Sequence, residues 1–255
     1  MDAFARVLAE PGSMAARRAL LADWKARDDP RAELLENQLT YLELARAGSD
    51  RAYALRLAIN VAIGKRGWAW AGELAKIVTD YKFHRGLVAE ITISGADFVA
   101  RAPRLFELAP IQHVTITAPL PSVDALFSVP QLAKLTSLNM PLLGAAFGDA
   151  GAFALARCEH AARLGWISLN YDEIGQSGVE ALAESPMLAH ARFLGLKGNA
   201  VDPTPYVQEV MEGLYGGGRP SLAAALEQRF GPRPWLTTPT NPEDWPPERE
   251  ALAIT

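Results

Sequence analysis

The sequence predicts an α/β solenoid: an N-terminal helical cap, about five strand–helix units with a parallel sheet on the concave face, and a C-terminal helix plus extended tail. Three observations carry that expectation. Over roughly the first eighty residues, apolar side chains fall at helical spacing. From about Gly86, short β-branched runs alternate with helical or irregular stretches and share one apolar template. Late in the chain an alanine-rich run gives way to a segment, 232–255, that holds six prolines. The corresponding regions are 1–85, 86–200 and 201–255.

Within the cap, Ser13 is placed to cap a helix from Met14 to about Arg27, with Ala19, Leu20, Leu21 and Trp24 as its apolar content. Asp28-Asp29-Pro30 then stops and restarts the chain. Asp29 suits an N-cap, and Pro30 the first helical position, where its missing N–H costs nothing. The next helix carries Leu34, Leu35, Gln38, Leu39, Leu42 and Leu44 and ends at Gly48. A further helix is expected over Arg51–Ile63, with Gly64 and Gly67 as punctuation and another helix over Trp68–Asp80.

The template places apolar residues at positions one, four and six. Val88, Ile91 and Ile93 fit it, as do Ile111, Val114 and Ile116, and Leu135, Leu138 and Met140. Leu164, Ile167 and Leu169 follow, then Ala191, Leu194 and Leu196. The fourth-position residues are 91, 114, 138, 167 and 194, so the units step by 23, 24, 29 and 27 residues. Those steps lie at or near the period of leucine-rich repeats, each one short strand plus a helix or turn. The strands are too widely spaced for hairpins, and the intervening segments are long enough to return the chain to the next parallel strand. The ninth template position, usually asparagine, here holds Ala96, Pro119, Leu143, Asp172 and Asn199. Only the last two side chains can bond neighbouring backbone groups, so the early turns are expected to be irregular.

Two segments resemble known families. FGDAGAFALA and DEIGQSGVEALAES, followed by FLGLKGNAV, resemble ribonuclease-inhibitor-type leucine-rich repeats. LLADWKARDDPRAELLENQ, residues 20–38, resembles a repeat-companion domain that precedes such repeats in a family of bacterial proteins, through Ala22, Asp23, Trp24, Asp29, Pro30, Arg31, Glu33 and Gln38. It departs from that pattern at Lys25, Asp28 and Ala32. The resemblance implies the architecture and carries no assigned activity.

At 255 residues and 49% hydrophobic content the chain can bury a core without metals or disulfides. A net charge of −4 without a basic block argues against a nucleic-acid partner. The longest uncharged stretch, Leu108 to Val123, is too short and too interrupted by proline to span a bilayer, so no membrane partner is expected and the cytoplasm is the expected compartment. Cys158, the single cysteine, reads as a small buried apolar residue. The four histidines show no metal-ligand spacing, and Gly216-Gly217-Gly218 lacks the lysine of a phosphate loop, so no cofactor or metal is expected. Asp23, Asp28, Asp29, Arg31 and Glu33 form the densest charged group. As a structural corner, Asp29 caps, Arg31 pairs with Asp23 or Glu33, and Trp24 packs beneath. As a site, the Asp23/Glu33 corner makes a hydrolase the different-class alternative.

Strand alternation yields the candidate surface. If positions four and six enter the core, positions three, five and seven line the open face. Position three holds Glu90, His113, Ser137, Trp166 and Phe193; position five Thr92, Thr115, Asn139, Ser168 and Gly195; position seven Ser94, Thr117, Pro141, Asn170 and Lys197. The candidate partner-binding residues are Trp166, Phe193, His113, Thr115, Asn139, Ser168, Asn170 and Lys197. Trp166 and Phe193 share a register, so their rings should touch, either as an exposed hot spot or buried under a C-terminal cap. Trp235 and Trp245 are expected to anchor an extended tail, on this chain or another, ahead of an acidic stretch from Glu243. The expected function is non-catalytic recognition of a protein, with an inhibitory or regulatory subunit as the alternative. Against an inhibitor of a basic enzyme, only Glu90 among the fifteen face residues is acidic.

Overall fold

The computed structural model describes residues 2–203 and 222–237. The triglycine, Trp245 and the acidic stretch from Glu243 therefore lie outside the described residues. The chain is α/β, with one six-stranded, mostly parallel sheet in the order β1-β2-β3-β4-β5-β6. Its described residues divide into two compact units, 2–91 with 103–112, and 92–102 with 113–203 and 222–237. No described helix is long and apolar enough to cross a membrane.

The first unit holds α1 (Ala3–Ala9), α2 (Met14–Ala26), α3 (Arg31–Arg46), α4 (Arg51–Ala71) and β1 (Asp80–His84). Ser13 caps α2 as expected, its Oγ accepting from the Ala16 amide at 3.2 Å. Val7, Leu20, Trp24, Leu35 and Leu39 form the core between the first three helices. The α3 start falls one residue late, at Arg31, because Pro30 takes the N-cap place while the Asp29 Oδ1 accepts from the Arg31 amide at 2.9 Å.

Two expectations for this unit need correction. α4 runs unbroken through Gly64 and Gly67. Each mid-helix glycine costs about 1 kcal/mol relative to alanine, but a Cβ on Gly67 would lie 3.1 Å from Ile63 Cγ2 and 3.4 Å from Phe83 Cε2. The missing side chain admits the Phe83 ring. The helix expected to reach Asp80 is replaced by a 3-10 turn (Leu74–Lys76) and β1. β1 joins β2 (Leu87–Ser94) through Arg85-Gly86, with φ of 52° and 80°. Two consecutive positive φ values are the hallmark of a tight hairpin turn. Gln38 fastens it, donating from Nε2 to Phe83 O at 2.9 Å and accepting the Gly86 amide on Oε1 at 2.6 Å.

α5 (Gly95–Leu108) contributes to both units. The second holds β3 (His113–Thr117), α6 (Val123–Phe127), β4 (Ser137–Asn139), α7 (Gly148–Ala156), β5 (Trp166–Ser168), α8 (Gln176–Glu184), β6 (Phe193–Gly195), α9 (Leu222–Phe230) and α10 (Pro234–Thr237). β3 to β6 pair in parallel, with Val114, Leu138, Ile167 and Leu194 aligned across them. All fifteen residues assigned to template positions one, four and six are buried. Each such aliphatic side chain contributes about 1.5–3 kcal/mol relative to exposure.

The ninth-position expectation also holds. Asn199 Oδ1 accepts from the Asp172 and Ile174 amides at 2.9 and 3.0 Å, while its Nδ2 donates to Leu169 O and Leu196 O. Asp172 Oδ1 accepts from the Leu143 amide at 2.7 Å. Between α7 and α8, Asp149 accepts from the Gly175 amide, and Gly178 lies so close that a Cβ would meet Ala152 Cβ at 3.0 Å. α9 forms where the alanine-rich run predicts it. Residues 234–237, expected to be extended, form α10 instead, which packs against β6 and buries Trp235 and Leu236.

Candidate functional site

The strand register brings the sequence-derived face residues into rows, but their exposure differs from expectation. His113, Ser137, Trp166 and Phe193 align across β3 to β6, and all are buried. His113 Nδ1 and Ser137 Oγ are 2.6 Å apart. Trp166 and Phe193 stack, with centroids 5.2 Å apart and planes 24° from parallel. Their relative exposures are 9% and 6%, so the exposed hot-spot alternative is corrected. For Phe193 the physical reason lies in a small neighbour on its own strand. A Cβ on Gly195 would fall 2.9 Å from Phe193 Cζ, so the ring lies down along its own strand. Ser168, expected on the open face, is buried in the same row as Gly195.

Thr115 and Asn139 remain half-buried, linked by a bond from Asn139 Nδ2 to Thr115 Oγ1 at 3.3 Å. Asn170 is also half-buried, its Oδ1 accepting from the Lys197 amide at 2.9 Å, and Lys197 is exposed. These four of the eight candidates offer side chains to solvent.

Beside them stand two residues that sequence reasoning missed. Leu142 and Tyr171 are 72% and 45% exposed, and both have positive φ, 62° and 63°. A bulky L-residue rarely adopts that left-handed backbone, and where one does the strain often marks a functional position. Leu142 N donates to Asn170 O and Tyr171 N to Lys197 O, so the turns are stacked in register. Both occupy template position eight, where the last unit has Gly198 at φ 76°. That glycine was the available signal, since a glycine at this template position marks a left-handed turn there.

The charged corner resolves differently from its sequence pairing. Arg31 pairs with Asp29, not Asp23 or Glu33, through Nη2–Oδ2 at 2.6 Å, and its guanidinium lies 4.5 Å over the Trp24 ring. The Arg31 hydrogen bond holds the Asp29 carboxyl below its usual range. Asp23 pairs with Arg27 and Glu33 is exposed. No group of three or more His, Cys, Asp or Glu among the described residues is placed to hold a metal. These residues thus have physical roles: Trp24 and Arg31 stack, Asp29 orients Arg31, and Gln38 fastens the hairpin.

A groove of about 490 Å³ beside this corner is lined by Arg27, Asp28, Asp29 and Arg31, and two others also contain titratable groups. One, of about 370 Å³, is lined by Asp124, Arg157, Cys158 and His160. Cys158 is buried as expected, its Sγ donating to Phe127 O at 3.2 Å, and burial pushes the thiol pKa up. The other, of about 300 Å³, is lined by Tyr41, Arg56, Tyr81, Lys82 and His84. Glu90, expected on the open face, is buried and lies 3.4 Å from His84 Nε2, while its ion pair with Lys82 Nζ at 2.8 Å ties β1 to β2.

Comparison with protein-family models, curated proteins and solved structures returns no match to this chain.

Proposed function

We propose that the chain is a leucine-rich-repeat solenoid of about five units behind a repeat-companion cap, acting in the cytoplasm as a non-catalytic module that recognises a protein. The fold part of this reading is supported by the agreement between template and register. Positions three, four and five of the alignment are the paired residues of β3 to β6.

The recognition part rests on Leu142 and Tyr171. Two large apolar side chains are held toward solvent at left-handed positions, beside Thr115, Asn139, Asn170 and Lys197. Apolar anchors beside polar groups of which only Lys197 is charged suit a protein interface, whose core is depleted in charge. Repeat architectures present such surfaces already ordered, so little side-chain entropy is lost on binding.

The test compares partner capture from the native cell by the wild type and by the Leu142→Ala/Tyr171→Ala variant. Because both residues are exposed, the variant should melt within a few degrees of wild type. A protein recovered by wild type and lost from the variant is the expected result. Equal recovery by both overturns the assignment. Trp166→Ala and Phe193→Ala, by contrast, should each cost about 3–5 kcal/mol of stability, because both rings are buried.

A further inference from the structure

α4 is a 21-residue helix of which only Ile59 and Gly67 are buried. One stripe of its exposed surface is apolar. Tyr53, Leu57, Val61 and Trp68 are 62%, 47%, 56% and 63% exposed. Ala54, Leu57, Val61, Gly64 and Trp68 follow one another at steps of 3, 4, 3 and 4 residues, and all five are exposed. That alternation is the seam by which one helix packs along another. A seam of this kind left in water is a surface awaiting a partner.

The charges around the seam choose the occupant. α4 contains Arg51, Arg56, Lys65 and Arg66 and no acidic residue, in a chain whose net charge is −4. Arg51 and Lys65 occupy the flanking position next to the seam, seven residues of heptad spacing on either side of Ala58. In an antiparallel pair with a second copy, these flanking cations would face each other. In a parallel pair they would face Tyr53 and Asn60, gaining no opposite charge. A bilayer is a poorer fit, because Ala54, Ala58 and Gly64 make much of the face small, whereas interfacial helices present a broad face of large apolar residues. Small seam residues instead allow the close approach of another helix.

We propose that α4 docks an amphipathic helix of a partner protein, with an apolar seam and glutamate or aspartate along the flank that meets Arg51 and Lys65. This surface belongs to the first unit and stands independently of the Leu142–Tyr171 surface.

The experiment uses the full chain and a fluorescein-labelled peptide of about three heptads, with leucine at the seam positions and glutamate at the flanks. Fluorescence anisotropy should show saturable binding. Leu57→Asp/Val61→Asp should weaken it by about tenfold or more with no loss of helical circular dichroism, since both side chains are exposed. Arg51→Glu/Lys65→Glu should reverse the charge preference, binding a lysine-flanked peptide better than the glutamate-flanked one. Equal affinity of the wild type for both peptides, or no binding of either, overturns the proposal. So does a dimer in sedimentation that Val61→Asp dissociates, or binding to phosphatidylglycerol vesicles in preference to the peptide.

Discussion

At Asp172 a carboxyl group is sealed from solvent, with Oδ1 bonded to the Leu143 amide and Oδ2 without a hydrogen-bond partner among the described residues. Burial pushes its pKa from 3.8 up to about 7, against the opposing pull of the Leu143 and Gly144 amides. The folded chain therefore holds a proton that the unfolded chain has released between about pH 4 and pH 7. Stability from this group is greatest at the acidic end of that window and falls as pH rises through it. At about 1.4 kcal/mol per pH unit, the loss between pH 5 and pH 8 should be on the order of 2–3 kcal/mol. Asp172→Asn, which cannot ionise, should flatten that dependence in urea unfolding followed at both pH values. An unchanged slope would show that the carboxyl is ionised throughout. Arg17 presents the converse case: burial, then Arg85 nearby, lowers it to about 9, and it survives as a cation by donating to Arg85 O and Pro11 O.

The β1–β2 hairpin shows how an element depends on its neighbours. Gly86 has φ of 80°, and an added Cβ would sit 2.5 Å from Leu35 Cβ and 2.8 Å from Leu35 Cα. The second contact is with backbone, so rotamer change cannot relieve it. Gly86→Ala should destabilise by about 3 kcal/mol or more, combining left-handed strain with displacement of α3. Chemical denaturation measures this, and a loss under about 1 kcal/mol would mean the turn shifts freely. Neither β1 nor its turn was legible in the sequence. DYKFH has no β-branched residue, and the two residues that reverse the chain include a non-glycine at positive φ, Arg85. The parallel strands were legible because aliphatic burial imposes a fixed spacing. Side-chain alternation identified the rows, but could not foresee that a ring beside a glycine would lie flat.

Across the molecule, burial is concentrated unevenly. The short strands β4 and β5 place Leu138 and Ile167 at zero exposure, while α4 buries two residues in 21. Hydrogen exchange should rank them accordingly: α4 amides open locally at a lower free energy than those of β4 and β5. Equal protection would indicate that α4 is held by contacts other than its own buried side chains. The candidate surfaces were harder to read than the core for the same reason. Periodicity reports which residues must avoid water; it does not report which apolar residues fail to, and α4 contains both kinds.

The order of the sheet has one more consequence, at its first strand. An uncovered strand edge is a template on which another chain can add, and long apolar edges lead toward fibres. α10 packs on β6 at the far end of the strand order. β1 is only five residues long, with Asp80 and Lys82 exposed and Lys82 pinned to Glu90. A newcomer pairing there would have to strip water from fixed charges. The ion pair that joins β1 to β2 therefore also sets a fixed charge on the first strand, the kind of feature by which edge strands resist the addition of another chain.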